Sequence, residues 1–315
     1  MKLKIIITMC LGLLFSSLFA QTIDQEIEFK TGRAAGNFAE KKMSKAANQI
    51  FINQFTVHFQ MLFFDAESTR AGVNYGTTSA SLSVGFEGID ESDLQKLTDQ
   101  IYQDYVNMMK SNGYEIISAD DLSGNKSVAK GEMIAYTRPD YEKISGYVSC
   151  MPTGFKSFYK KGKPLLSALI KHDGLTADVS IEVPFIVDAE SGASKLATSA
   201  VGGVSKIVVK PILRIGGGSV YSYNWSGGSY VTLPMKSDLI VKGVFEDEKF
   251  KAAAGAVSNS SSTIGATTFT KSWNVDESKV QTAKCDPEKY KKGVVDGSNK
   301  FLSEATSLFM EYATK

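Results

Sequence analysis

His58 and His172 are the only two histidines in this 315-residue chain. A general base working near neutral pH, or an imidazole-rich metal centre, would have to draw on them. Their surroundings argue for quieter roles. His58 sits between Thr56 and Gln60, on the polar positions of an alternating stretch, and reads as a hydrogen-bonded strand histidine. His172 precedes Asp173 and Gly174 and reads as a cap or turn residue near a helix end. No Cys/His cluster has ligand spacing, so neither a metal nor a cofactor is expected.

Nucleophilic chemistry has no motif either. There is no G-x-S-x-G elbow, and the glycines of Val201-Gly202-Gly203-Val204 and Ile215-Gly216-Gly217-Gly218 match neither the P-loop nor the dinucleotide fingerprint. They read as turn glycines. Acidic runs such as Asp120-Asp121 and Glu246-Asp247-Glu248 lie in polar context and read as solvated faces, and nothing selects a glycosidase pair among them. No catalytic residue is assigned.

One constellation could bind. Tyr221, Tyr223 and Trp225 alternate along one short strand, and Tyr230 follows across Ser226-Gly227-Gly228. Four aromatics on a hairpin could stack a sugar ring or grip a partner strand. The competing reading is ordinary cross-strand packing.

Lys2 and Lys4 precede an apolar run from Ile5 to Leu14, and Ser16-Ser17-Leu18-Phe19-Ala20 offers a small-residue exit before Gln21. That is the pattern of a secretory signal peptide over 1–20, too short for a membrane span of about 20 residues. Cys10 lies inside the run and not at its exit, so no lipid-acceptor cysteine is evident. With Lys2 and Lys4 removed, 35 basic residues become 33 against 34 acidic ones. This balance argues against a nucleic-acid partner. No transmembrane span is expected in the mature chain. Its two cysteines, Cys150 and Cys285, are candidates for a disulfide in an oxidising compartment. Sequons begin at Asn125, Asn224 and Asn259, but the compact leader followed by Gln reads as bacterial.

The elements that must position these residues follow from periodicity. Phe38, Met43, Ala46, Ala47 and Ile50 recur at helical spacing, so 21–50 is expected as a helical segment. Phe55, Val57, Phe59, Met61 and Phe63 alternate as a strand, as do Ala80, Leu82, Val84 and Phe86, with Asp65 to Thr78 as the polar join. Asp90 caps a helix whose stripe is Leu94, Leu97, Ile101, Tyr105 and Met108, ending at Lys110 and Gly113; Tyr114 to Ile117 is a strand. Residues 119–163 carry no strong period, and Lys156 to Lys163 reads as an exposed loop. Leu165 to Ile170 reads as a short helix.

Ala177 to Asp188 is a strand in which Pro184 must face an edge or a bulge. Lys206 to Ile215 is another, ended by the glycine triplet, followed by Val220 to Trp225, Ser229 to Leu233 and Leu239 to Phe245. Ala252 to Thr268 reads as a loop. Asp286 and Pro287 open a long helix bearing Tyr290, Val294, Phe301, Ala305, Leu308 and Tyr312.

The order of FTVHFQMLFFDAES, ESDLQKLTDQIYQDYVNMMKSNGYEIISADDL, LTADVSIEVPFIVDAESG, KIVVKPILRI and the last helix resembles the curli-secretion lipoprotein (CsgG-like) and penicillin-binding-protein-activator folds. The likeness spans roughly 51–250 and the terminal helix, and its motifs are apolar patterns. Two departures stand out: no lipid-acceptor cysteine, and an added strand at Ser79 to Glu87. The resemblance implies a noncatalytic envelope protein that assembles with a partner; no family residue is carried over.

The expectation is therefore an α+β fold with a mixed sheet, amphipathic helices, a long C-terminal helix and a glycine-rich hairpin region near 216–245, within one main domain over 51–315. The function expected is an exported cell-envelope binding or assembly protein, periplasmic, outer-membrane-associated or extracellular, with an envelope protein or a glycan as partner and oligomerisation possible. A secreted carbohydrate-binding or carbohydrate-processing protein using the aromatic hairpin is the alternative, and a pore-former ranks last because 220–233 is short for bilayer strands of about 9 to 11 residues.

Overall fold

The computed structural model describes residues 23, 25–33, 43–69, 78–135, 146–159, 170, 172–188, 208–223, 230–251, 253–254, 263–265, 269–272 and 280–313. The leader, Trp225, Asn224, Asn259 and the helix read at 165–169 lie outside them.

In chain order the strands begin with β1 (Gly32–Arg33) and β2 (Gln49–Gln60), then β3 (Leu62–Thr69) and β4 (Thr78–Phe86). Helix α1 (Glu91–Ser111) leads to β5 (Glu115–Ile117), β6 (Glu132–Ile134), β7 (Tyr147–Cys150) and β8 (Ser157–Tyr159). Next come β9 (Leu175–Val183), β10 (Ile186–Asp188), β11 (Val208–Pro211), β12 (Leu213–Ser222), β13 (Tyr230–Pro234) and β14 (Leu239–Val241). The short β15 (Phe250–Lys251), β16 (Ala253–Ala254), β17 (Thr263–Gly265), β18 (Phe269–Ser272) and β19 (Gln281–Ala283) precede helix α2 (Pro287–Ala313). The fold is α+β. A ten-stranded sheet runs β1-β13-β12-β9-β2-β7-β18-β17, with β14 on β12 and β5 on β2. Its centre is mixed: β9 lies parallel to β2 and antiparallel to β12.

Helix α1 starts where its capping residues put it. The Asp90 carboxylate accepts the Asp93 amide at 2.9 Å, and the Asp93 side chain reaches back to the Asp90 amide. Its buried stripe is Leu94, Leu97, Ile101, Tyr105 and Met109. Gly113 takes the left-handed turn at φ 88° that ends it. In α2, Asp286 accepts the Lys289 amide at 3.1 Å, and Tyr290, Val294, Phe301, Ala305 and Phe309 are fully buried.

Both helices cover one face of the large sheet. Phe309 stacks on Tyr221 with centroids 3.9 Å apart, Tyr105 lies against Phe55, and Gly297 lets α2 close on Ile215. A Cβ at 297 would stand 2.6 Å from Ile215 Cγ1. The glycine that weakens the helix is what allows this contact.

Long strand β2 shows how a single residue keeps a face in register. Ile50 and Ile52 point to the helices, and so do Phe55, Val57 and Phe59, although the two sets differ in parity. A bulge between Ile52 and Gln54 absorbs the slip. Asn53, 2% exposed, fills it: its amide donates to Asp178 at 3.0 Å and its oxygen accepts the Phe158 amide at 2.9 Å. Phe51 faces the other way, into a small cluster with Leu122, Val128, Phe158 and Ile170.

Several expectations are corrected. Residues 25–33 are extended and not helical: Phe29 bridges Met235 and β1 pairs with β13. Gln25-Glu26-Ile27-Glu28-Phe29-Lys30 in fact alternates half-buried with exposed positions, the signature of a strand. The alternating stretch from Phe55 breaks at Met61, where the Met61 and Leu62 amides both donate to the Gly146 carbonyl, and β3 continues through Asp65 to Thr69. Ser157 and Phe158 in the basic segment are buried in β8. Pro184 does interrupt its strand, and its carbonyl accepts the Arg214 amide at 2.9 Å.

The glycine triplet is not a turn. Gly216, Gly217 and Gly218 lie inside β12, opposite Glu182, Ile181 and Ser180. A Cβ on Gly217 would sit 2.3 Å from the Ser180 carbonyl oxygen. Backbone proximity, and not chain reversal, is what these glycines serve.

Candidate functional site

The face of the sheet turned away from the helices carries polar side chains in register. Ser149 of β7 is opposite His58 of β2, His58 is opposite Glu182 of β9, and Glu182 is opposite Gly216 of β12. Directly opposed residues share a face, so the row follows from pairing alone. His58 Nδ1 and Ser149 Oγ are 2.7 Å apart, and both residues are buried, at 3% and 1% exposure.

At its other end the row opens to solvent. Glu182 is exposed. Because Gly216 has no side chain, Asp238 enters beside it: a Cβ at 216 would lie 2.6 Å from Asp238 Oδ1 and 3.9 Å from Glu182 Cβ. Asp238 Oδ2 pairs with Arg214 Nη1 at 3.2 Å, and Arg214 Nη2 donates to the Ile186 carbonyl at 2.7 Å. The guanidinium thus serves Asp238 and a backbone carbonyl. Glu182 itself makes no hydrogen bond or ion pair among the described residues. Although its side chain reaches solvent, partial desolvation against the sheet, followed by the charge of Asp238, raises its pKa above the usual range. Tyr147, on the same face, is pushed up to about 12 by desolvation and then by Glu182 and Asp238, against the opposing pull of Arg214.

Beside the carboxylates lies a shallow cleft of about 450 Å³. Its lining joins Glu182 and Asp238 to Gly217 and Gly218, to the apolar Val220, Pro234 and Met235, and to the hydroxyl residues Ser180, Ser219 and Thr232. A cleft that sets charge beside apolar surface can bind. The serine–histidine pair and the cysteines are elsewhere. Ser149 and His58 form half of a proton-relay pair, but a serine nucleophile needs substrate access and oxyanion donors, and both residues are shut inside the sheet face. Cys150 is buried beneath α1 and Cys285 bridges Phe245; burial pushes each thiol up to about 12. Such thiols carry little thiolate at neutral pH. The disulfide expected as a candidate for Cys150 and Cys285 is not made in this structure, where both are free thiols. No group of three or more His, Cys, Asp or Glu among the described residues is arranged to hold a metal ion.

The aromatic hairpin does not form one surface. Tyr221 is fully buried, stacked on Phe309, with its hydroxyl 3.2 Å from that of Tyr105. Tyr223 packs on the same core, whereas Tyr230 is half-buried on the polar face, because it alternates with the inward Val231. Trp225 lies outside the described residues. His172 holds a turn: its Nδ1 accepts the Gly174 amide at 3.1 Å and its Nε2 meets Thr176 Oγ1 at 3.0 Å.

Reasoning from the sequence missed Asp238, Arg214, Tyr147 and the role of Glu182. Glu182 could have been found by pairing its alternating strand with the glycine triplet, since mid-strand glycines mark a close approach. Asp238 carried no such signal, for a loop residue's destination is set by tertiary folding. No protein-family model and no curated protein matches this chain, so the function has to be argued from this geometry.

Proposed function

We propose that the chain is an exported, noncatalytic cell-envelope protein that binds or assembles with a partner. One observation carries the reading: the cleft by Glu182 and Asp238 is open and sets carboxylates beside apolar surface, while Ser149, His58 and Cys150 are sealed at 1–3% exposure. Binding needs an accessible surface, which the cleft offers, and a serine or cysteine nucleophile would need access that Ser149 and Cys150 lack. The export half rests on the leader pattern of residues 1–20, and the assembly half on the likeness to the curli-secretion and penicillin-binding-protein-activator folds. No helix among the described residues is long and apolar enough to cross a membrane.

The test is the native mass and location of the mature protein, followed through a density gradient after gentle extraction of the envelope. Migration within a large envelope assembly is the expected result. Turnover of peptidoglycan or another glycan by the purified protein, abolished by His58→Ala, would overturn the reading.

A further inference from the structure

The cleft has unlike ends, and the difference specifies a ligand. Val220, Pro234 and Met235 offer hydrocarbon, with Ser180 and Thr232 among them, and Glu182 and Asp238 offer two carboxylates at the Gly216 end of the strand register. We infer that it takes an alkylammonium group, the lysine-like side chain of an extended peptide, with its stem along Val220, Pro234 and Met235 and its cationic head at Glu182 and Asp238. This rests on the binding reading above and adds the chemistry of what is bound.

Charge and shape support it, together with how the two combine. The first is charge. Arg214 is committed to Asp238 and to the Ile186 carbonyl, which leaves Glu182 without a counter-ion among the described residues. An anionic ligand would meet two carboxylates, and an ammonium supplies the missing cation. The second is shape. Gly217 and Gly218 keep the floor at backbone level, and a Cβ on Gly218 would already stand 3.1 Å from Pro234 Cα. A slender unbranched stem fits such a trough, and about 450 Å³ falls within the usual range for small-ligand sites. The third is the pairing of apolar wall with acidic end, which matches a side chain that buries its methylenes and presents a charged tip. The raised Glu182 pKa, caused first by desolvation and then by Asp238, agrees, because a cation placed there would offset the cost of keeping the carboxylate charged.

The experiment titrates the mature protein by calorimetry near neutral pH with an N-acetylated, C-amidated Ala-Lys-Ala peptide and with its Nε-acetylated form. The free-ammonium peptide is expected to bind about tenfold more tightly, the scale of one charge-assisted contact. Glu182→Gln should erase that preference while leaving the circular dichroism unchanged, since Glu182 has no partner to lose. Equal binding of the two peptides, binding of neither, or a preference that survives Glu182→Gln overturns the inference. If the inference fails while the protein still migrates in an envelope assembly, the binding reading stands without it; if the purified protein turns over a glycan, that reading falls first.

Discussion

The two faces of the central sheet are built from the same strands and do opposite things. On the helix side, β2, β9 and β12 present Phe55, Val57, Phe59, Val179, Ile181, Ile215 and Tyr221 to α1 and α2, all at essentially zero exposure. On the other side the same strands present His58, Glu182, Arg214, Gly216 and Gly218. Each fully buried apolar side chain on the first face contributes about 1.5–3 kcal/mol, whereas partly exposed charges on the second contribute little to stability. Apolar packing and the charged groups are thus separated by the pleat of the strand, and substitutions should sort by face.

The sharpest contrast should come from Tyr221. Replacing it with Ala removes the ring stacked on Phe309 and leaves the Tyr105 hydroxyl without its partner. Equilibrium denaturation should register a loss of about 3–5 kcal/mol. A loss below about 1 kcal/mol, on the scale of an exposed site, would break the division between faces.

Next in size is Gly297→Ala. Helix propensity alone favours Ala by about 1 kcal/mol. Overpacking against buried Ile215 opposes it with a cost of about 1–3 kcal/mol. A net destabilisation in urea melts is expected; stabilisation would mean that α2 sits further from the sheet.

A smaller effect belongs to His172, whose pKa is lowered by desolvation, with Asp173 pulling the other way. Because the folded state binds its proton less well than the unfolded chain does, the stabilisation is complete above the ordinary value of 6.5 and is lost as pH falls below it. Protonation also removes the lone pair that accepts the Gly174 amide. His172→Asn should flatten the dependence of the urea midpoint on pH in that range; an unchanged slope would assign the dependence to other groups.

The smallest effect is expected at Glu182. Its raised pKa means that folding disfavours the charged form, so Glu182→Gln should be neutral or slightly stabilising above the ordinary value of 4.5. The difference should vanish in more acidic solution. Melting temperatures of the two proteins at both pH values test this, and a marked destabilisation would show that Glu182 is structural after all.

Local rules make the helices legible in the amino-acid sequence. Asp90, Asp93 and Gly113 mark α1 at both ends, and Asp286 with Pro287 opens α2. Alternation likewise announces β2, β4 and β9. What stays hidden depends on partners distant in sequence. The bulge at Asn53 is visible only once Asp178 and Phe158 are in place, and the glycine triplet looks like a turn until β9 and Pro234 lie against it. Tyr221 reads as part of a binding surface because alternation identifies a face without saying which face is covered. The candidate site is the least legible part, since its carboxylate pair is assembled from a strand residue and a loop residue that only tertiary folding brings together.

The strap at residues 25–33 has a kinetic consequence. Glu28 pairs with Lys236, the Thr232 hydroxyl donates to the Gly32 carbonyl, and Gln25 donates to the Asp238 carbonyl, across separations of 208, 200 and 213 residues. Phe29 also reaches Phe301 of the last helix. Contacts of such span come late, because chain closure must be accomplished before they can form. In vectorial synthesis these residues emerge some 200 residues before their partners, so the strap waits unpaired until β13 has been made. The strap is the final seam of the fold, and the same residues that close it leave the chain most open to edge-to-edge misassociation until they do.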